Sequence, residues 1–181
     1  MAYITIAEVK EYLGISTSDD DALLGRLILA AQAAIEAHTS RRFEVVSTSR
    51  TYPMGHWQGD VVFVGDDLRS IVSVTTDAGD SWTPSHFTFT PPARVIYLTT
   101  GAPMPSQSAR FFTVTGDWGF TAQPPDDVKQ ACVRLVGHMY RMKDAQAYDI
   151  IGMSETGTMR VQPKLPADVL ELLKPYRAYL P

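Results

Sequence analysis

Hydrophobic residues recur at three- and four-residue spacing in two widely separated parts of the chain, which predicts two long amphipathic helices. The first helix should begin after the acidic run Asp19–Asp21 and end near Thr39. The second should follow Pro124–Asp127, because prolines followed by acids are typical of a helix start. Neither stripe can be buried by its own helix, so we expect the two helices to pack together. The stripes comprise Leu23, Leu24, Leu27, Ile28, Ala31, Ala34 and Ile35, then Val128, Ala131, Cys132, Leu135, Val136, Met139 and Met142.

Local signals predict two further, short helices. Thr5 and Glu8 have the spacing of a capping box, and Gly14 is a natural helix terminator. A last helix is expected over residues 167–174, with Pro175 ending or kinking it. Additional alanines on the first long helix raise its helix propensity and permit close packing: Ala30, Ala33 and Ala37.

The middle of the chain, residues 43–120, has little helical periodicity and is rich in Val, Thr and aromatic residues, which favours strands. Glycines and prolines separate six candidate strands. The segment Thr76–Asp80 should be a hairpin connection between two of them. The candidate strands are Phe43–Tyr52, Val61–Val64, Ser70–Thr76, Trp82–Phe89, Arg94–Leu98 and Arg110–Thr115.

These elements predict an α+β fold in which two long and two short helices form a helical bundle. A small antiparallel β sandwich or barrel is inserted between the two helical halves. The expected domains are residues 1–42 with 121–181 for the bundle, and 43–120 for the insertion. The stretch 145–163 has weak periodicity and is expected to be a mobile loop, with some strand character around Met159–Val161.

Composition restricts the class of protein. The net charge of −4 argues against a dedicated nucleic-acid binder, whose affinity rests on a basic surface. A single cysteine cannot form an internal disulfide, and neither a signal peptide nor an apolar run long enough to span a bilayer is visible. We therefore expect a soluble protein that is made in a reducing cytoplasm and has no membrane partner.

Candidate chemistry is sparse, so we expect no catalytic residue, no metal and no cofactor. The four histidines lack metal-ligand spacing, and Cys132 shares an apolar helix stripe, which favours a buried structural thiol. The acidic pairs at Asp66 and Asp126 are interpreted as turn and capping residues. The cations Arg41, Arg42 and Arg50 are interpreted as a solvated or partner-binding face. The aromatic residues of the middle region are expected to form a β core rather than a ligand platform.

Several segments, in their order along the chain, resemble the head–tail connector proteins of long-tailed bacteriophages, also called adaptor or head-completion proteins. The resemblance spans nearly the whole chain and is to the longer variety, which carries a β insertion. Each segment is weakly specific alone, and their order and spacing carry the resemblance. The segments are Tyr3–Leu13, Asp20–Leu24, Thr39–Phe43, Val114–Phe120, Pro124–Ala131, Leu135–Tyr140, Leu165–Pro166, Leu172–Leu173 and Pro175–Arg177.

The resemblance implies a structural virion protein at the head–tail interface, assembled in the host bacterial cytoplasm. About a dozen copies would form a ring beneath the portal protein, extend the DNA channel and dock a stopper or tail-completion protein. Genomic DNA would pass through without specific binding. In this family the C-terminal segment docks into the portal, which makes Lys174, Tyr176, Arg177, Tyr179 and Leu180 the candidate docking residues.

Three alternatives stay open at this point. One is a different virion part, a stopper or tail-completion protein, although such proteins are often mainly β. Another is a small hydrolase or carbohydrate-binding module, which would require His56, His86, Asp60 or Asp80 to converge in one deep pocket. A third concerns the C-terminal tyrosines alone, which could cap the bundle instead of docking.

Overall fold

The computed structural model describes residues 2–142 and 165–178. The chain divides into two compact units, Met1–Ser40 with Pro124–Pro181, and Arg41–Gln123. The expected loop at 145–163, with its strand character around Met159–Val161, lies outside the described residues.

Four α-helices make up the described part of the first unit: α1 (Ile6–Leu13), α2 (Asp21–Thr39), α3 (Asp126–Met142) and α4 (Ala167–Leu173). Helix α3 packs against each of the other three, and α1 also packs against α2. The contact between the two long helices confirms the prediction drawn from their apolar stripes. Leu24, Ile28 and Leu135 are among the fully or almost fully buried side chains of these helices.

Helix ends follow the local sequence at α1 and differ from it at α2. The Glu8 amide donates to the Thr5 hydroxyl, the Glu8 carboxylate accepts from the Thr5 amide, and Gly14 ends α1 with a φ of +70°. At α2, the side chain of Asp20 makes no cap bond to the helix. It accepts instead from the hydroxyl of Tyr140 on α3, and Lys10 Nζ lies 2.9 Å from Asp21 Oδ1. The acidic run thus ties α2 to both neighbouring helices.

The second unit, residues 41–123, is described throughout and contains one seven-stranded sheet in which every pairing is antiparallel. Its order is β1-β7-β3-β6-β5. The two-residue strands β2 and β4 lie outside this order, and each pairs with β3. The strands are β1 (Val46–Pro53), β2 (Trp57–Gln58), β3 (Val61–Thr76), β4 (Ser81–Trp82), β5 (Phe87–Thr88), β6 (Ala93–Leu98) and β7 (Phe111–Trp118).

Strand β3 departs most from the sequence prediction, because two expected strands are one strand of 16 residues. The register shifts between Phe63 and Leu68, around Gly65 with a φ of +68°. The first half of β3 pairs with β6 and the second half with β7, so the strand serves two neighbours in turn. Conversely, the expected strand over Trp82–Phe89 is split by a 3₁₀ turn at Pro84–His86.

A single hydrophobic core fills this sheet, with residues contributed by both halves of β3. The predicted hairpin at Thr76–Asp80 is confirmed, since β4 pairs with the end of β3. The predicted α+β class, a helical bundle with an antiparallel β unit, is confirmed as well. The strands form one hydrogen-bonded sheet that shares this core.

Candidate interaction surfaces

The C-terminal docking candidates lie at the end of the helical unit, where a 3₁₀ turn over Lys174–Tyr176 follows α4. Lys174 and Arg177 are exposed, and Tyr176 is half-buried. The last two candidates, Tyr179 and Leu180, lie outside the described residues.

Two hydrogen bonds attach this segment to the helices beneath it. The Tyr176 hydroxyl donates to Asp127 Oδ2 on α3 at 3.3 Å, and the Ala178 amide donates to the Thr39 carbonyl at the end of α2 at 2.8 Å. Burial first, and the Asp127 carboxylate second, raise the pKa of the Tyr176 hydroxyl, so it stays protonated and can donate. The chain is thus fixed to the bundle as far as Ala178, which is the capping role that the sequence left open for Tyr176.

The charged side chains of the segment point into solvent. Lys174 Nζ is 3.8 Å from the carboxylate of Glu171, and both side chains are 76% exposed, so this ion pair contributes little to stability. Lys174 and Arg177 therefore present positive charge on a backbone that is held in place. Such an arrangement suits contact with an acidic or carbonyl-rich surface.

A buried charge cluster in the β unit corrects two interpretations made from the sequence. Asp67 is a β3 residue, not a turn residue, and is only 5% exposed. Its Oδ1 accepts from Arg41 Nη1 and Arg94 Nε, both at 3.0 Å. Arg41 also stacks on the ring of Phe120, with 4.2 Å from guanidinium carbon to ring centroid. Arg41 is therefore a structural cation rather than a solvated or partner-binding one.

Arg50 and Asp66 form a second pair that the sequence did not reveal. Their side chains are bonded to each other, and the Arg50 guanidinium lies 4.5 Å from the ring centroid of Trp118. The sequence missed both clusters because the partners are 16 to 27 positions apart in the chain and meet only in the folded β unit.

The residues considered for chemistry have separate local roles. His56 Nδ1 is 3.2 Å from the Phe63 carbonyl, and His86 Nδ1 accepts from the Thr83 amide at 3.1 Å. Asp80 accepts from the Ser106 hydroxyl at 2.7 Å, which holds its pKa below the usual range. No three His, Cys, Asp or Glu side chains in the described ranges are grouped to hold a metal ion, and no helix there could cross a membrane.

Cys132 and most of the aromatic residues belong to hydrophobic cores, as the sequence predicted. Cys132 is fully buried on α3, and this burial raises the pKa of its thiol to about 12. The ring of Trp57 packs tilted against Trp82 and edge-on against Phe112, with centroid distances of 4.9 and 5.4 Å. Most of the aromatic set therefore fills the core of the sheet, while Tyr97 and Phe111 are exposed.

The fold is that of proteins found in the neck of gene transfer agent particles. A chain in the neck of the empty particle, computed with C6 symmetry, matches with a TM-score of 0.65 and 22% identity, over 98% of this chain and 91% of that chain. A chain in the neck of the native particle, computed with C12 symmetry, gives 0.60 and 22% over 97% and 88%. A chain in the virion of the native particle gives 0.62 and 22% over 98% and 91%.

No curated protein sequence matches the chain significantly. A model of the head completion protein family does match, over residues 2–179. The chain therefore belongs to the head completion protein family, and the resemblance inferred from its sequence is confirmed.

Proposed function

We propose that this protein is a structural, non-enzymatic head–tail connector subunit at the head–tail interface of a virion. The family match over residues 2–179 carries the proposal. About twelve copies assemble as a ring beneath the portal protein, extend the DNA channel and present a surface to a stopper or tail-completion protein. The neck structures computed with C6 and C12 symmetry support a rotationally symmetric assembly.

Within this proposal the two compact units are two domains, a helical bundle at 1–42 and 121–181 and an inserted β domain at 43–120. The net charge of −4 suits a channel that lets DNA slide without specific binding, since phosphates are not attracted to an acidic wall. Assembly takes place in the host bacterial cytoplasm.

The C-terminal segment is the part that docks into the portal. Its exposed cations, Lys174 and Arg177, stand next to a bundle-bound Tyr176. Tyr179 and Leu180 supply the aromatic and apolar anchors that such contacts use.

Electron microscopy of the protein mixed with portal rings tests the assembly, and the expected result is an added ring on the portal axis. Deleting residues 175–181 should leave the fold largely intact and abolish co-purification with the portal. A truncated protein that still binds the portal normally would show that the docking assignment is wrong.

Two substitutions separate docking from bracing, because the deletion also removes the bonds made by Tyr176 and Ala178. Arg177→Glu should weaken portal binding by about tenfold or more, as expected for an interface anchor. The same reversal at Arg141, an exposed cation at the end of α3, is the matched control and should leave binding unchanged. Tyr176→Phe removes the hydroxyl that bonds Asp127 and keeps the ring, and it should lower stability by about 0.5–1.5 kcal/mol.

A further inference from the structure

An open groove of about 440 Å³ lies on the helical unit, lined by residues of α1 and α3 and by Ile4, which precedes α1. Its apolar floor includes the aromatic ring of Tyr12, which is 45% exposed although it contacts the α3 backbone region near Gly137. A partly exposed tyrosine in an apolar groove is a common anchor site for a protein partner. The lining residues are Ile4, Tyr12, Val133, Glu8, Glu11, Asp126, Lys129 and Gln130.

The rim of this groove is acidic. Three carboxylates and one ammonium group line it, and Lys129 Nζ is 3.8 Å from Asp126. Glu8 is engaged in the capping box, whose hydrogen bonds lower its pKa and keep it ionised. Glu11 is exposed at the rim. A partner that fits this groove therefore brings an apolar side chain together with positive charge.

The outer face of α2 carries that combination. Leu29 is 60% exposed, the most exposed large hydrophobic side chain of the helical unit's described residues. Arg26 is also exposed and lies one helical turn before it, on the same face. Their neighbours on this face, Ala22, Ala30 and Ala33, are exposed and small, so another backbone can approach closely.

We propose that the outer face of α2 in one copy docks into the groove between α1 and α3 of the next copy. Leu29 covers the apolar floor beside Tyr12, and Arg26 faces the acidic rim at Glu11. The knob and the groove are different surfaces of the same chain, which is the heterologous arrangement that a ring of identical subunits requires. The proposal names the ring contact and so rests on the connector function proposed above.

Cross-linking between two tagged variants tests the contact directly. One variant carries Leu29→Cys and the other Gln130→Cys, both at exposed positions, while the native Cys132 is buried and does not compete. Mixing the two should give heterotypic disulfide dimers at about tenfold the yield of either variant with itself. Ala78→Cys, exposed in the β3–β4 turn, replaces Gln130→Cys in the control mixture and should not cross-link.

Charge reversal provides an independent measurement by sedimentation and native mass spectrometry. Arg26→Glu and Glu11→Arg should each weaken self-association by about tenfold, and mixing the two variants should restore it, because both kinds of mixed interface pair opposite charges. Leu29→Asp should abolish self-association while the helical circular dichroism is retained. Normal self-association of Leu29→Asp would overturn the proposed contact.

Repeating the experiments on portal rings separates this contact from the connector function. Portal-bound rings that form without the Leu29–Gln130 cross-link would overturn the contact and leave the connector function standing. Cross-linked oligomers that never bind portal would support the contact and overturn the connector function. Absence of any self-association, with or without portal, would overturn both. The thiol of Gln130→Cys can also be tested for protection from a thiol reagent. If that protection persists in the Leu29→Asp variant but is lost when residues 175–181 are deleted, the groove belongs to the C-terminal segment instead.

Discussion

Replacing Gly116 with alanine should destabilise the β unit, because β7 approaches β3 too closely there for any side chain. A Cβ atom at Gly116 would lie 2.1 Å from the carbonyl oxygen of Ser70 and 3.3 Å from the Cα of Ile71. Carbon and oxygen atoms approach each other to about 3.3 Å in sheets, so the strands would have to separate by roughly 1 Å. Gly116 pairs with Ile71 in the ladder, and this separation would weaken the adjoining hydrogen bonds.

The cost combines two contributions. Overpacking in a tight site costs about 1–3 kcal/mol, and a weakened ladder bond about 0.5–1.5 kcal/mol. We therefore expect Gly116→Ala to lower the free energy of unfolding by about 2–4 kcal/mol. Gly55→Ala is the matched control, because no atom lies within 4 Å of its Cβ position and its φ is not in the left-handed region. That variant should be neutral or stabilising by up to about 1 kcal/mol.

Tryptophan fluorescence during chemical denaturation is the assay, because all three tryptophans, Trp57, Trp82 and Trp118, are buried in the β unit. The fluorescence therefore reports the unfolding of this unit and not of the helices. If the free energies of unfolding of Gly116→Ala and Gly55→Ala lie within about 0.5 kcal/mol of each other, the close approach of the two strands does not require glycine at position 116.

Three further predictions follow from the buried and hydrogen-bonded charges. Asp67→Ala should cost about 3–5 kcal/mol in denaturation experiments, because it leaves two arginines without their buried carboxylate. Asp66→Ala, which removes a side chain that is 54% exposed, should cost about 1 kcal/mol or less. Cys132, whose thiol pKa is raised to about 12 by burial, should not react with a thiol reagent at pH 8 until the protein unfolds. Hydrogen bonds from the hydroxyls of Ser47 and Ser70 lower the pKa of Asp117 in the folded protein below its pKa in the unfolded chain. The stabilisation from these bonds is therefore present above the unfolded pKa and is lost as the pH falls through the folded pKa. The temperature of thermal unfolding should accordingly fall below about pH 4, and it should fall less steeply in Asp117→Asn.

The helical half of the fold was predictable because its determinants are local or periodic. The Thr5–Glu8 capping box needs only four consecutive residues, and the apolar stripes need only regular spacing. Leu24 and Leu135, which belong to the predicted apolar stripes, are fully buried in the structure. Helix pairing then follows, because two apolar faces in one small unit have few other places to be buried.

The continuity of β3 through Gly65–Asp67 was not predictable, because a non-local interaction outweighs a local preference. Gly65, Asp66 and Asp67 are typical turn residues, and the sequence therefore indicated a break there. Asp67 instead meets Arg41 and Arg94, which are 26 and 27 positions away in the sequence. The two buried ion pairs and the Gly119 amide, which donates to the Asp67 carbonyl at 2.7 Å, hold the segment in the sheet.

The docking segment shows a different limit of sequence-based inference. Its composition, with tyrosine and arginine near the chain end, was compatible with either docking or bracing. Only coordinates could reveal that the Tyr176 hydroxyl reaches Asp127 while Arg177 is exposed. Within one short segment the structure therefore assigns a bracing contact to one candidate and leaves another available for a partner.

Leu29 carries a signal that hydrophobic periodicity passes over. The apolar stripe of α2 includes Leu27 and Ile28 but has no place for Leu29, which lies out of phase with it. The alanines at 30, 33 and 37 were interpreted as residues for close packing, yet the structure exposes all three. Periodicity records burial within the chain, and a single exposed apolar residue is common on protein surfaces, so Leu29 points to a partner only together with the exposed Arg26 and the small residues around it. In the ring contact proposed above that partner is the neighbouring copy, and the off-phase apolar positions of α2 are therefore the first positions to test for it.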